Sequence, residues 1–125
     1  MKYIGKHILL ELYECNSKIL NDINAIPRYM YKAAQKSGAH VLDSKFHMFS
    51  PFGVSGIVLI AESHLSIHTW PQYNYAAIDI FTCSFDMKPW DAVKYLKKCL
   101  KAKTYNVKEF KRGNMHILKN LSKKS

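Results

Sequence analysis

The sequence predicts an α+β domain, a two-layer sandwich in which an antiparallel sheet carries two helices on one face. Three observations point there. The chain has 125 residues, enough for one domain around one core. Hydrophobic residues make up 48% of it, which favours folding over disorder. Strand-like and helix-like segments follow one another as β-α-β-β-(β)-β-α-β, with no linker or repeat between them. Residues 1–125 are therefore read as a single domain.

Each element has its own signal. Tyr3 to Glu14 contains the run HILLELY, a first strand. Asn16 to Lys36 has helical spacing, with Ile23, Ile26, Met30 and Ala33 or Ala34 on one stripe. Pro27 fits only the first turn of a helix, so the main helix starts near Asn24, and Gly38 is a natural C-terminal cap. His40 to Phe49 is a strand, Ser50-Pro51-Phe52-Gly53 a turn, and Val54 to Glu62 a β-branched apolar strand. Ser63 to Trp70 is strand-like and closed by Pro71, and Tyr75 to Thr82 alternates clearly. Asp86 is the expected cap of a second helix, Pro89 to Lys101, and Tyr105 to Lys111 forms the last strand. Asn120 to Ser125 reads as a polar tail. The uncovered sheet face needs a partner protomer or a substrate, and a protomer this small makes a dimer reasonable.

The formal charge of +10 is unevenly placed. Residues 1–85 hold 7 Lys/Arg against 6 Asp/Glu, and residues 86–125 hold 12 against 3. Such a basic half can serve nucleic acid. However, Lys94, Lys97, Lys98 and Lys101 fall at i, i+3, i+4 and i+7, one solvated helix face, and no nucleic-acid motif accompanies them. Nucleic acid is therefore not the expected partner. The start of the chain lacks a cleavable leader pattern, and the apolar run Gly56 to Ala61 is too short to cross a membrane. A cytoplasmic location without membrane association is expected. The three cysteines, Cys15, Cys83 and Cys99, lack CxxC spacing, which argues against a disulfide framework or a zinc knuckle.

The chemistry is concentrated between Phe49 and Cys83, where Ser55, Glu62, Ser63, His64, Ser66, His68, Trp70 and Cys83 interrupt core-like strands. His64 and His68 are four apart, but on a strand that spacing separates them by about 13 Å, so no metal site is expected. A Ser-His hydrolase would lack the Gly-x-Ser-x-Gly elbow. Composition and spacing alone stop at an α+β domain with a polar cluster.

The run IAESHLSIHTWPQYNYAAIDIFTC, preceded by FHMFSPFGVSG, closely resembles the short prokaryotic form of S-adenosylmethionine decarboxylase. The likeness extends from GKHILLELYEC to Arg112-Gly113. This resemblance implies a self-processing proenzyme of the spermidine pathway. Ser63 Oγ attacks the Glu62 carbonyl, and Ser55 assists that acyl shift. His68 then removes the Cα proton of residue 63, leaving dehydroalanine, which water converts to a pyruvoyl group with loss of ammonia. The products are a β fragment, 1–62, and an α fragment, 63–125. The pyruvoyl ketone is the implied cofactor: it condenses with the substrate amine and takes up the electrons left by carbon dioxide. Cys83 holds the family's proton-donor position. Phe49 and Trp70 occupy the positions that stack on adenine, and Leu65 and Gln72 are carried over as substrate-binding positions. The family is a dimer of αβ units with active sites at the interface.

Three positions depart from the family pattern. Gln72 stands where the motif has a glutamate for the ribose hydroxyls, and Asn74 and Ser84 replace usual glycines. A carboxylate accepts two such bonds where an amide has one acceptor. Relatives with the same fold decarboxylate arginine or ornithine, which have no ribose. Phe49 and Trp70 favour the nucleoside substrate. A third reading is a non-catalytic basic homologue that no longer processes, although every processing residue is present.

Overall fold

The computed structural model describes residues 2–123. Its strands are β1 (Tyr3–Tyr13), β2 (Val41–Met48), β3 (Val54–Ile60), β4 (Ser63–Trp70), β5 (Tyr75–Thr82) and β6 (Thr104–Asn114). Its helices are α1 (Ser17–Leu20), α2 (Ala25–Lys36), α3 (Pro89–Cys99) and α4 (Met115–Ser122), and Pro71–Tyr73 forms a 3-10 turn. The α+β class is as expected, and all six strands pair antiparallel in the order β2-β3-β4-β5-β1-β6.

Period-two alternation sets the faces of the sheet. Ile8, Leu10 and Leu12 of β1, Val58 and Ile60 of β3, Leu65 and Ile67 of β4, and Ala76, Ile78 and Ile80 of β5 are buried in one cluster. Ile26, Met30, Ala33 and Ala34 of α2 and Ala92, Val93 and Leu96 of α3 belong to the same cluster. The intervening strand residues, among them His7, Glu11, Ser55, His68, Trp70 and Asp79, lie outside it. They form a face that carries exposed Ile57, Leu59, Trp70, Tyr13 and Phe110.

The helix ends explain two departures from expectation. The segment after Asn16 is two helices. The Asn16 side chain caps α1 by accepting from Ile19 N–H, and Asp22 Oδ1 accepts from Asn24 and Ala25 N–H at the start of α2. Gly38 does close α2, at φ +85, with its N–H on the Gln35 carbonyl and that of Ala39 on the Ala34 carbonyl. Asp86 is not the cap of α3. Lys88 holds that position without a side-chain bond, and Pro89 is the first helical residue.

The C-terminal end differs most. β6 runs to Asn114, and Asn114 Oδ1 accepts from Ile117 N–H to start α4, whose last residues, Asn120 to Ser122, are the first half of the expected polar tail. Lys124 and Ser125 of that tail lie outside the described residues. No helix among the described residues is long and apolar enough to cross a membrane.

Gly56 on β3 shows how tightly one position is specified. A Cβ there would overlap the Phe46 ring on neighbouring β2. Gly56→Ala is expected to cost about 1–3 kcal/mol of stability, because the whole ring must move. Thermal unfolding in a Ser63→Ala background, where the chain stays intact, checks this.

Candidate active site

β3 and β4 are joined by a two-residue hairpin, Ala61-Glu62, with Ile60 facing Ser63. Two-residue hairpins usually place positive φ inside the loop. Here neither loop residue has it; Ser63, the first residue of β4, does, at φ +146. A residue with a Cβ in that region costs on the order of 1–3 kcal/mol and persists only where its surroundings impose it. The Glu62–Ser63 peptide bond thus enters a strained residue.

The carbonyl of the same bond is held from the end of β5. Ser63 pairs with Thr82, which brings the next residue, Cys83, onto Glu62. The Cys83 N–H donates to the Glu62 carbonyl oxygen at 3.0 Å, and the Cys83 thiol donates to it at 3.2 Å. Two donors on one carbonyl oxygen are the arrangement that stabilises negative charge building there. Of the cysteines, Cys83 is exposed, Cys15 buried and Cys99 half-buried, and all three are free thiols. Burial pushes the Cys15 thiol up to about 11, so it is the inert one.

The Glu62 side chain is also fixed. Its Oε1 accepts from the His40 N–H at 3.0 Å, and its Oε2 lies 2.7 Å from His40 Nδ1. The hydrogen bond from the His40 ring, and then the one from its backbone, hold the Glu62 carboxyl below its ordinary range. A cavity of about 290 Å³ opens beside Cys83, between the first residues of β1, the end of β5 and Lys111.

The other expected residues gather at the opposite end of β4. Ser55 pairs with His68 across β3 and β4, and its Oγ lies 2.8 Å from His68 Nδ1. Trp70 follows on the same face, stacked on Tyr75 with ring centroids 5.3 Å apart. Phe49, exposed just beyond β2, packs edge-on against His47. Gln72 is exposed in the 3-10 turn after Trp70.

Ser63 and His68 lie five steps apart along β4, a span of about 16 Å. Within one chain the structure therefore makes two clusters: Glu62, Ser63 and Cys83 in one, and Ser55, His68, Trp70, Phe49 and Gln72 in the other. Ser55 and His68 do not reach the Glu62–Ser63 bond of their own chain. Leu65 belongs to neither cluster. Its side chain is 0% exposed in the core, so any contact it makes with a ligand runs through its backbone.

Two departures from the family pattern have local accounts. Asn74 adopts left-handed backbone at φ +53, and its amide donates to the Cys15 carbonyl, a bond glycine cannot make. Ser84 has ordinary backbone, and its Oγ accepts from Asp86 N–H, ordering the loop after Cys83. Sequence reasoning missed His40, whose role depends on a contact across 22 positions. It also missed a polar group on the open face, where Asp79 takes a bond from Ser66 Oγ and lies 3.8 Å from His7 Nε2.

The family model described as S-adenosylmethionine decarboxylase matches residues 6–113. The chain is 53% identical over 113 residues to the S-adenosylmethionine decarboxylase proenzyme of Thermosipho melanesiensis, covering 90% of this chain and 87% of that one. The proenzymes of Thermotoga maritima and Clostridium tetani are also 53% identical over 113 residues, covering 90% of this chain and 87% and 90% of theirs. The crystal structure of the adenosylmethionine decarboxylase from Aquifex aeolicus aligns with a TM-score of 0.84 at 32% identity, over 90% of this chain and 93% of that one. Matches of this extent, with the ESHLSIHTWP segment inside them, establish that the chain belongs to the S-adenosylmethionine decarboxylase family.

Proposed function

We propose that this chain is the proenzyme of a decarboxylase acting on S-adenosylmethionine, and that it makes its own pyruvoyl cofactor by cutting between Glu62 and Ser63. One observation carries the reading: the Glu62–Ser63 bond joins a carbonyl held by two Cys83 donors to a serine at φ +146.

Ser63 Oγ attacks the Glu62 carbonyl carbon, and the Cys83 N–H and thiol take the developing oxyanion. The peptide C–N bond breaks, the nitrogen of residue 63 takes up a proton, and Glu62 is left esterified on the serine oxygen. His68 then removes the Cα proton, and the ester carbon–oxygen bond on the serine side breaks, releasing Glu62 as a carboxylate. Water adds and ammonia leaves, giving the ketone at the head of fragment 63–125. That ketone supplies the electron sink for decarboxylation. For His68 to act as a base through Nε2, its Nδ1–H donates to Ser55 Oγ, which holds the ring at 2.8 Å. The Cys83 thiol protonates the product carbon. Phe49 and Trp70 offer aromatic faces to a flat purine.

His68 is about 16 Å along β4 from the bond it must serve, so we assign it to a second copy. A two-fold dimer would bring Ser55 and His68 of each copy to Ser63 of the other. The open sheet face, with Ile57, Leu59, Trp70 and Phe110 exposed, is the surface such a partner would cover. A cytoplasmic dimer with free thiols fits the same picture.

Gln72 is the observation that favours arginine or ornithine, because an amide replaces the carboxylate expected to grip ribose. Carbon dioxide release from carboxyl-labelled S-adenosylmethionine, arginine and ornithine tests the choice. Release from S-adenosylmethionine alone is expected. Release from an amino acid, with none from the nucleoside, sinks the proposal.

A further inference from the structure

The Glu62–Ser63 bond is restrained from two directions, and the processing chemistry uses only one of them. Cys83 holds the carbonyl oxygen. The second restraint comes from His40, immediately before β2, and it reaches the turn through three contacts. The His40 N–H donates to Glu62 Oε1 at 3.0 Å, its Nδ1 meets Glu62 Oε2 at 2.7 Å, and its carbonyl accepts from Ala61 N–H at 2.9 Å. Both loop residues of the hairpin are thereby tied to the residue that leads into β2. The Glu62 side chain is 13% exposed and the His40 side chain 80% exposed, so the imidazole lies over the carboxylate from the solvent side.

This arrangement has a mechanical consequence. Left free, the Ala61-Glu62 loop can rotate and return Ser63 to ordinary extended backbone, which relieves the strain at φ +146. With the Glu62 carboxylate and the Ala61 N–H both anchored, rotation of Glu62 would break contacts on two sides. The anchor also takes up a negative charge one residue from the carbonyl that must itself become negative. A carboxylate engaged by two donors opposes that oxyanion less than a free one does.

We infer that His40 is a positioning residue for self-cleavage: it clamps the Glu62 side chain so that the scissile bond stays in its strained, reactive geometry. The inference rests on the self-processing reading. It concerns the rate of the acyl shift alone and assigns His40 no part in decarboxylation.

The test follows cleavage of newly purified precursor by mass spectrometry for wild type, His40→Ala and His40→Asn. Asparagine places an amide nitrogen close to where Nδ1 stands, so it keeps the donor. His40→Ala is expected to cleave about fivefold more slowly, a modest loss because the contact is solvent-facing, with His40→Asn close to wild type. Hydroxylamine separates the steps, since it cuts an ester directly and replaces elimination. It should rescue His68→Ala but leave His40→Ala slow, because the ester itself forms slowly there. Once fully processed, His40→Ala should match wild type in kcat and KM.

Equal cleavage rates for His40→Ala and wild type would overturn the inference. So would His40→Asn as slow as His40→Ala, rescue of His40→Ala by hydroxylamine, or a lowered kcat after complete processing. A wild-type chain that never cleaves removes the underlying reading instead, so the two failures are distinguishable.

Discussion

Ser63→Ala is expected to remain one chain of 14.5 kDa and to release no carbon dioxide from any substrate. Alanine has no hydroxyl to accept the Glu62 acyl group, so no ester forms and no ketone follows. The loss is complete, because the cofactor is made from this side chain and not merely bound by it. Wild type, by contrast, should give two fragments whose masses sum to the precursor plus water minus ammonia. The same position also allows the strain to be measured. Ser63→Gly is equally unable to process, but glycine adopts φ +146 without a steric penalty. Among these two intact chains, the glycine variant should be the more stable by about 1 kcal/mol, although glycine normally destabilises a strand by a similar amount relative to alanine. That reversal of sign is the signature of strain. If Ser63→Ala is the more stable of the two, the backbone at the scissile bond is relaxed and cleavage must be driven by Cys83 alone.

The parts of the fold that were legible are those where one physical signal dominates. β1, β3 and β5 alternate or run apolar because a core lies on one side of them, and that pattern needs no tertiary information. α2 follows from proline near the first turn and an apolar stripe, and α3 from the solvated face of Lys94, Lys97, Lys98 and Lys101. α4 was hidden because Ile117, Leu118 and Leu121 stand among lysines at the end of a basic chain, and all three are exposed, so no burial pattern betrays them. β6 was read short because Lys108, Glu109, Lys111 and Arg112 mask its pairing with β1. Family resemblance names the candidate site residues but not their geometry. The separation of Ser63 from His68 follows from strand spacing once Ser63–Trp70 is taken as a strand. The closure of Cys83 on the Glu62 carbonyl does not, since it depends on the register of β4 against β5. The side of the sheet that Leu65 takes was legible without resemblance: its parity on β4, shared with Ile67, sends its side chain into the core.

Co-expression of Ser63→Ala with His68→Ala is expected to restore activity that neither variant has alone. Each Ser63→Ala chain retains a working Ser55–His68 pair but has no bond to cut. Each His68→Ala chain retains the Glu62–Ser63 bond and Cys83 but lacks the base. If the two clusters of one site come from different copies, a mixed dimer contains one complete site and one site missing both groups. With random pairing, half the dimers are mixed and each has one site of two, so activity should reach about a quarter of wild type. Mass spectrometry adds a stronger constraint: only the His68→Ala chain should be cut, since it owns the serine. A site built within one chain predicts no cleavage and no activity in any combination, because every chain then lacks one essential group. Dimers isolated through a different tag on each variant, found intact and inactive, would leave the 16 Å gap along β4 unexplained and would require the chain to bend before it could react.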